Sequence, residues 1–91
     1  MTRYTVTYAR HALQSLARLW LNAFDRRAVT QAGHVVDQML REDASQKGSP
    51  VGSRFRQLVV GTLAVEFTVE EDDRTVTVWT VRHIGELTNG H

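Results

Sequence analysis

The chain has 91 residues, a formal net charge of +1 and no cysteine, which leaves room for one small core and excludes disulfide staples and thiolate metal sites. No segment approaches the roughly 18 consecutive apolar residues of a membrane span, and Met1-Thr2-Arg3-Tyr4 opens without an apolar run, so a soluble, cytoplasmic protein of one domain is expected. The small net charge hides an asymmetry: residues 1–56 carry nine Arg or Lys against four Asp or Glu, and residues 57–91 carry two against six. A basic half of this kind attracts nucleic acid or an acidic protein, and must be weighed against the plainer account of a solvated helical surface.

In chain order, residues 2–8 predict a strand, because Tyr4, Val6 and Tyr8 alternate with threonines. Residues 9–43 predict a helical hairpin. Ala12, Leu13, Leu16, Ala17, Leu19 and Trp20 recur at helical spacing, and the first helix ends near Leu21. Asp25 is a good N-cap for the second helix, whose stripe is Val29, Ala32, Val36, Met39 and Leu40. Arg26 and Arg27 oppose the helix dipole at that end, and contact with a partner is one reason for their presence. Gly33 costs about 1 kcal/mol relative to alanine, which implies close packing against the first helix. Residues 44–53 contain two glycines, a proline and three serines and are expected to form a loop.

Residues 54–84 predict a three-stranded meander, and residues 85–91 a short tail. Leu63, Val65, Phe67 and Val69 alternate with Ala64, Glu66, Thr68 and Glu70, and the run Thr75 to Val81 is rich in β-branched residues. A turn centred on Asp72-Asp73 puts Val69 opposite Val76, Phe67 opposite Val78 and Val65 opposite Thr80 on the core face. It pairs Glu71 with Arg74, and on the open face it puts Thr68 opposite Thr77, Glu66 opposite Trp79 and Ala64 opposite Val81. A three-residue loop at Val60-Gly61-Thr62 is expected, since a two-residue loop would reverse the preceding strand and bury Arg54 and Arg56. It turns Phe55 and Val59 to the core and sets Arg56 opposite Glu66 on the open face. On this register Trp79 and Val81 form an exposed apolar patch, a partner surface; a shift of one residue would place them in the core.

The order strand, helix, helix and three strands, with Tyr4-Thr5-Val6, Leu16 to Trp20, Asp25-Arg26-Arg27-Ala28-Val29, Arg56-Gln57-Leu58, Gly61 to Val69 and Asp73 to Val78, resembles the RelE/ParE superfamily of type II toxin-antitoxin toxins. The resemblance runs from Tyr4 to about Ile84. It implies an α+β fold, β-α-α-β-β-β, with a helical hairpin packed on one face of a mostly antiparallel four-stranded sheet. It also implies a cognate antitoxin as partner, in a module of the kind linked to plasmid stabilization, and a target that is either DNA gyrase or the ribosome with its messenger RNA.

The ribonuclease branch implies basic groups on the open sheet face, but Ala64 stands where a basic residue is expected, and Val81-Arg82-His83-Ile84 contains no tyrosine after its arginine. If the chain is a nuclease, Arg54, Arg56, Arg82 and His83 are its candidate catalytic residues, with Arg82 toward the core side and His83 on the open face. They would supply charge and a proton-exchanging imidazole. The plainer account pairs Arg56 with Glu66 and leaves His83 at an exposed strand end. The leading expectation is a gyrase-poison-like toxin acting through protein contacts, with Arg26, Arg27, Trp79 and Val81 as partner-binding residues; a non-toxic binding module is the third reading. His11, His34 and Asp37 have no metal-ligand spacing, and no phosphate loop, nucleophile elbow or dinucleotide fingerprint is present, so neither metal nor cofactor is expected.

Overall fold

The computed structural model describes residues 3–84. Strand β1 (Thr5–Tyr8) leads into helices α1 (Arg10–Asn22) and α2 (Arg26–Arg41); a short 3-10 turn (Ala44–Gln46) and β2 (Ser49–Val51) precede β3 (Phe55–Val60), β4 (Leu63–Glu70) and β5 (Thr75–His83). The strands form one sheet in the order β1-β5-β4-β3-β2, in which β1 and β5 are parallel and all other neighbours antiparallel. The α+β architecture with both helices on one sheet face is the expected one. The sheet has five strands rather than four, because the segment expected as a loop contributes β2. The expected tail at 85–91 lies outside the described residues.

The helices form for the reasons their sequence gives. The Asp25 carboxylate accepts the Ala28 amide at 3.2 Å and caps α2. Val29, Ala32, Val36 and Leu40 are buried along one stripe of α2, while α1 contributes Ala12 with Leu16 and Leu19 packed beside it. These meet Leu58, Leu63, Val65, Phe67, Val76 and Val78 from the sheet. Gly33 departs from expectation: a Cβ there would meet nothing within 4 Å, so the glycine is not a helix-helix contact.

Two register features position everything on the sheet. The β3–β4 hairpin closes through Gly61-Thr62, with Val60 opposite Leu63, which is the two-residue loop and not the expected three-residue one. Gly61 holds φ 57°, the left-handed angle that a first hairpin position of this kind requires. Every β3 side chain is therefore reversed: Phe55, Gln57 and Val59 face outward, while Arg56 lies opposite Phe67 on the helix side. The desolvation cost weighed against this arrangement is avoided. Arg56 is only half-buried at the sheet margin and donates to the carbonyls of Lys47 at 2.8 Å and Gly48 at 3.1 Å, and Arg54 is exposed in the turn before β3. Those bonds hold the 44–51 segment against the sheet, where Pro50 is tolerated because β2 is an edge strand.

The second feature is a bulge in β5. Near the turn the pairs are as expected, with Val69 opposite Val76, Thr68 opposite Thr77 and Phe67 opposite Val78. Beyond the bulge, Glu66 pairs with Thr80, Val65 with Val81, Ala64 with Arg82 and Leu63 with His83, so the expected pairs Val65–Thr80, Glu66–Trp79 and Ala64–Val81 do not form. Trp79 is the extra residue, and the inserted position inverts the facing of the strand after it. The expected Glu71–Arg74 ion pair is replaced by other bonds: the Tyr4 hydroxyl donates to the Glu71 carboxylate at 3.0 and 3.2 Å, and the Arg74 amide donates to the Glu71 carbonyl at 3.2 Å.

Candidate functional site: the open sheet face and the hairpin groove

The sheet face away from the helices carries Thr5 and Thr7 from β1, then Thr75, Thr77, Trp79, Thr80 and Arg82 from β5. From β4 come Ala64, Glu66, Thr68 and Glu70, and from β3 and β2 come Phe55, Gln57, Val59 and Val51. Phe55, Val59, Val51 and Trp79 are all exposed. The Trp79 indole donates to the Thr68 hydroxyl at 2.9 Å, and the Thr80 hydroxyl donates to the Glu66 carboxylate at 3.1 Å. One arginine against two glutamates is the charge of this face among the described strands. Such a surface has apolar contacts to offer and little attraction for a phosphate backbone.

The four nuclease candidates do not gather. Arg82 stands exposed on the open face opposite Ala64, whereas His83, at the end of β5, lies on the helix side, the reverse of the expected facing for both. Arg56 is on the helix side and spends its guanidinium on two backbone carbonyls, so its expected pairing with Glu66 is absent. Arg54 is exposed in the β2–β3 turn. His83 instead helps line a cleft of about 430 Å³ with Thr62, Val29 and Phe24 at the turn that joins the two helices.

The partner-binding candidates also separate. Trp79 is exposed on the open face, but Val81 is core, with 6% exposure opposite Val65, because the bulge returns it inward. Arg26 has an intramolecular role. Its guanidinium carbon lies 4.7 Å from the centre of the Trp20 ring, and it donates to the Leu21 carbonyl at 3.2 Å at the end of α1. Arg27 is exposed.

Sequence reasoning missed a second surface. The outer side of the hairpin encloses a groove of about 720 Å³, with Leu13, Trp20 and Leu21 on α1 and Thr30, Gly33 and Asp37 on α2 among its lining residues. Leu13, Trp20 and Leu21 are all exposed. The signal was present, since Leu13, Trp20 and Leu21 exceed the width of a single buried stripe, but a helix with apolar residues on two sides cannot say which side the sheet takes. Among the described residues, no group of three His, Asp or Glu is placed to hold a metal ion, and no helix is long and apolar enough to cross a membrane.

No protein-family model matches the chain, and no curated protein matches it in sequence. Solved structures do. A chain of the RelBE2 toxin-antitoxin complex from Mycobacterium tuberculosis superposes with a TM-score of 0.78 at 18% identity, over 93% of this chain and 95% of that one. The chain has the RelE/ParE toxin fold. The chromosomal ParDE system from P. aeruginosa gives a TM-score of 0.67 at 16% identity, covering 90% and 97% of the two chains. The isolated E. coli RelE toxin also gives 0.67, at 12% identity, over 89% and 84%. Structures named for RelE and for ParE are thus both similar, the RelBE2 chain with the higher score of these three, and at these identities the likeness is one of backbone alone.

Proposed function

We propose that this RelE/ParE-fold chain is the toxin of a type II toxin-antitoxin module. It acts through protein contacts on a macromolecular target, in the manner of a gyrase poison, and is neutralised by a cognate antitoxin covering the open sheet face and the helical hairpin. The observation that carries this reading is the chemistry of the open face: Trp79, Phe55, Val59 and Val51 are exposed on a face whose described strands carry a single arginine. A nuclease face needs convergent cations and an acid-base pair, and Arg56 and His83 lie on the opposite side.

A ribosome-dependent endoribonuclease is the second reading, and Arg82 is what favours it, since it stands exposed on the open face. Induced expression in a bacterial host, with growth, messenger RNA integrity and plasmid supercoiling followed together, separates the readings. Arrest with intact messages and altered supercoiling is expected. Cut messages that disappear in Arg82→Ala would establish the nuclease instead, and growth without arrest would leave a non-toxic binding module.

A further inference from the structure

We infer that the turn joining α1 to α2 docks on an anionic membrane surface, with Phe24 and Leu21 entering the interface and the arginines beside them meeting lipid headgroups. Phe24 is 109% exposed and Leu21 61%, so two large apolar side chains stand in water at one end of the helical hairpin. Trp20 joins them at the same helix end. Its ring lies under the Arg26 guanidinium at 4.7 Å and its indole donates to the Thr30 hydroxyl at 2.9 Å, which fixes an aromatic with a satisfied polar edge beside the two bare side chains. The contact is superficial: side chains on a turn reach the boundary of headgroups and acyl chains, roughly 5–10 Å deep.

Charge selects the surface. Residues 10–36 carry four arginines against a single acidic residue, Asp25, whose carboxylate accepts the Ala28 amide as the α2 cap. Arg18, Arg26 and Arg27 are exposed in the last turns of α1 and the first turn of α2. The acidic residues gather at the other end of the sheet. Thr62 and His83 line the same cleft as Phe24, which places the α1–α2 turn beside the β3–β4 turn. From there β4 runs eight residues, roughly 25 Å, to the turn where Glu70, Glu71, Asp72 and Asp73 are exposed. The resulting dipole turns the apolar tip toward a negative surface and the carboxylates away from it.

Each rival occupant leaves part of this arrangement unused. A nucleic acid would take the arginines through its phosphates and leave Phe24 and Leu21 in water. A second copy set against the turn by a two-fold axis would bring two sets of Arg26 and Arg27 together, a like-charge cost. An anionic bilayer uses both components at once, since apolar area enters the acyl boundary while each arginine near the surface adds attraction.

The test sediments the full chain with large vesicles of phosphatidylcholine alone, or of phosphatidylcholine with an equal part of phosphatidylglycerol. The parent should bind the anionic vesicles about tenfold or more tightly than the neutral ones, and added salt should weaken that binding. Phe24→Ser and, independently, Leu21→Ser should each weaken it about tenfold, the fold-change of one large apolar side chain left in water. Arg27→Gln should weaken it about fivefold on anionic vesicles and not at all on neutral ones. All three positions are exposed, so each variant should melt as the parent does, which separates lost docking from lost folding. Equal sedimentation with the two kinds of vesicle, or with neither, overturns the inference. Unchanged binding by both Phe24→Ser and Leu21→Ser overturns it as well, and so does a parent chain that is dimeric without lipid and becomes monomeric with Phe24→Ser. None of these readouts depends on growth arrest, so the toxin reading stands or falls separately.

Discussion

The Trp79 indole and the Thr68 hydroxyl are joined at 2.9 Å across β5 and β4, at the point where β5 carries one residue more than its partner. Thr68 is 9% exposed and Trp79 43% exposed, so the bond ties an outward-standing aromatic to a nearly buried acceptor. Replacing Thr68 with valine keeps the volume and removes the acceptor. Thr68→Val should cost about 1 kcal/mol, or roughly 4–8 °C in melting temperature for a domain of this size. Trp79→Phe removes the donor of the same bond, and the double variant should lose less than the sum of the two, which thermal unfolding of all four proteins measures.

Arg56 is assigned to structure by the same kind of bond counting. Its donation to the carbonyls of Lys47 and Gly48 connects β3 to the segment that precedes β2. Arg56→Ala should destabilise the chain by about 1–2 kcal/mol, and amide exchange at the Ser49–Gln57 and Val51–Phe55 pairs should accelerate. Lysine should not restore the loss, because an ammonium cannot reproduce the fork of the guanidinium. Growth arrest by the variant should persist, and its disappearance at unchanged protein level would return Arg56 to the functional site.

The sequence carried the order of every element but the 3-10 turn and β2, both helix boundaries to within a residue or two, the Asp25 cap and the β4–β5 pairs next to the turn, each of which depends on residues close together in the chain. It did not carry facing beyond the first register irregularity. The expected exposure of Val81, the open-face His83 and the core-side Arg82 all followed from one assumption, that β5 has no bulge; with Trp79 inserted, all three reverse. The facing of Phe55 and Arg56 depended in turn on the loop at Gly61, where avoiding a buried arginine outweighed turn geometry. The carbonyls that accept from Arg56 belong to a segment eight or nine residues upstream, with Gly48, Ser49 and Pro50 giving no strand signal, so the bonds that made the other register affordable could not be foreseen. Gly33 failed for a related reason: propensity records that a glycine is costly and not whether its Cβ position faces a neighbour or open space.

Gly48 is the glycine that the fold does require. It holds φ +67°, and a Cβ there would lie 2.1 Å from the Gln57 carbonyl oxygen. Gly48→Ala should therefore destabilise by at least about 2 kcal/mol, combining left-handed strain with a backbone clash that no side-chain rotation relieves. Loss of β2 pairing before global unfolding is the expected form of the damage. Hydrogen exchange would detect it as early opening at Ser49 and Val51 with β4 and β5 still protected, and a variant as stable as the parent would contradict the close approach.

Tyr8 gives the fold an alkaline limit. Burial first, then the charge of Asp37 and its acceptance of the phenol hydrogen bond, push the Tyr8 hydroxyl from its ordinary 10 up to about 12, with Arg41 acting in the opposite direction. The folded chain thus keeps a proton that the unfolded chain releases above pH 10. Because the folded state then binds more protons than the unfolded state, stability is fully present below pH 10 and declines as pH rises toward about 12. Tyr8→Phe has no proton to retain and should show a shallower decline over the same window, at some cost in stability at neutral pH from the lost bond to Asp37. Asp37→Asn should lower the Tyr8 midpoint without returning it to 10, since burial, the first cause, remains. Urea unfolding at stepped pH, with tyrosinate absorbance followed alongside, measures both effects, and identical alkaline slopes for the parent and Tyr8→Phe would show that another group sets the limit.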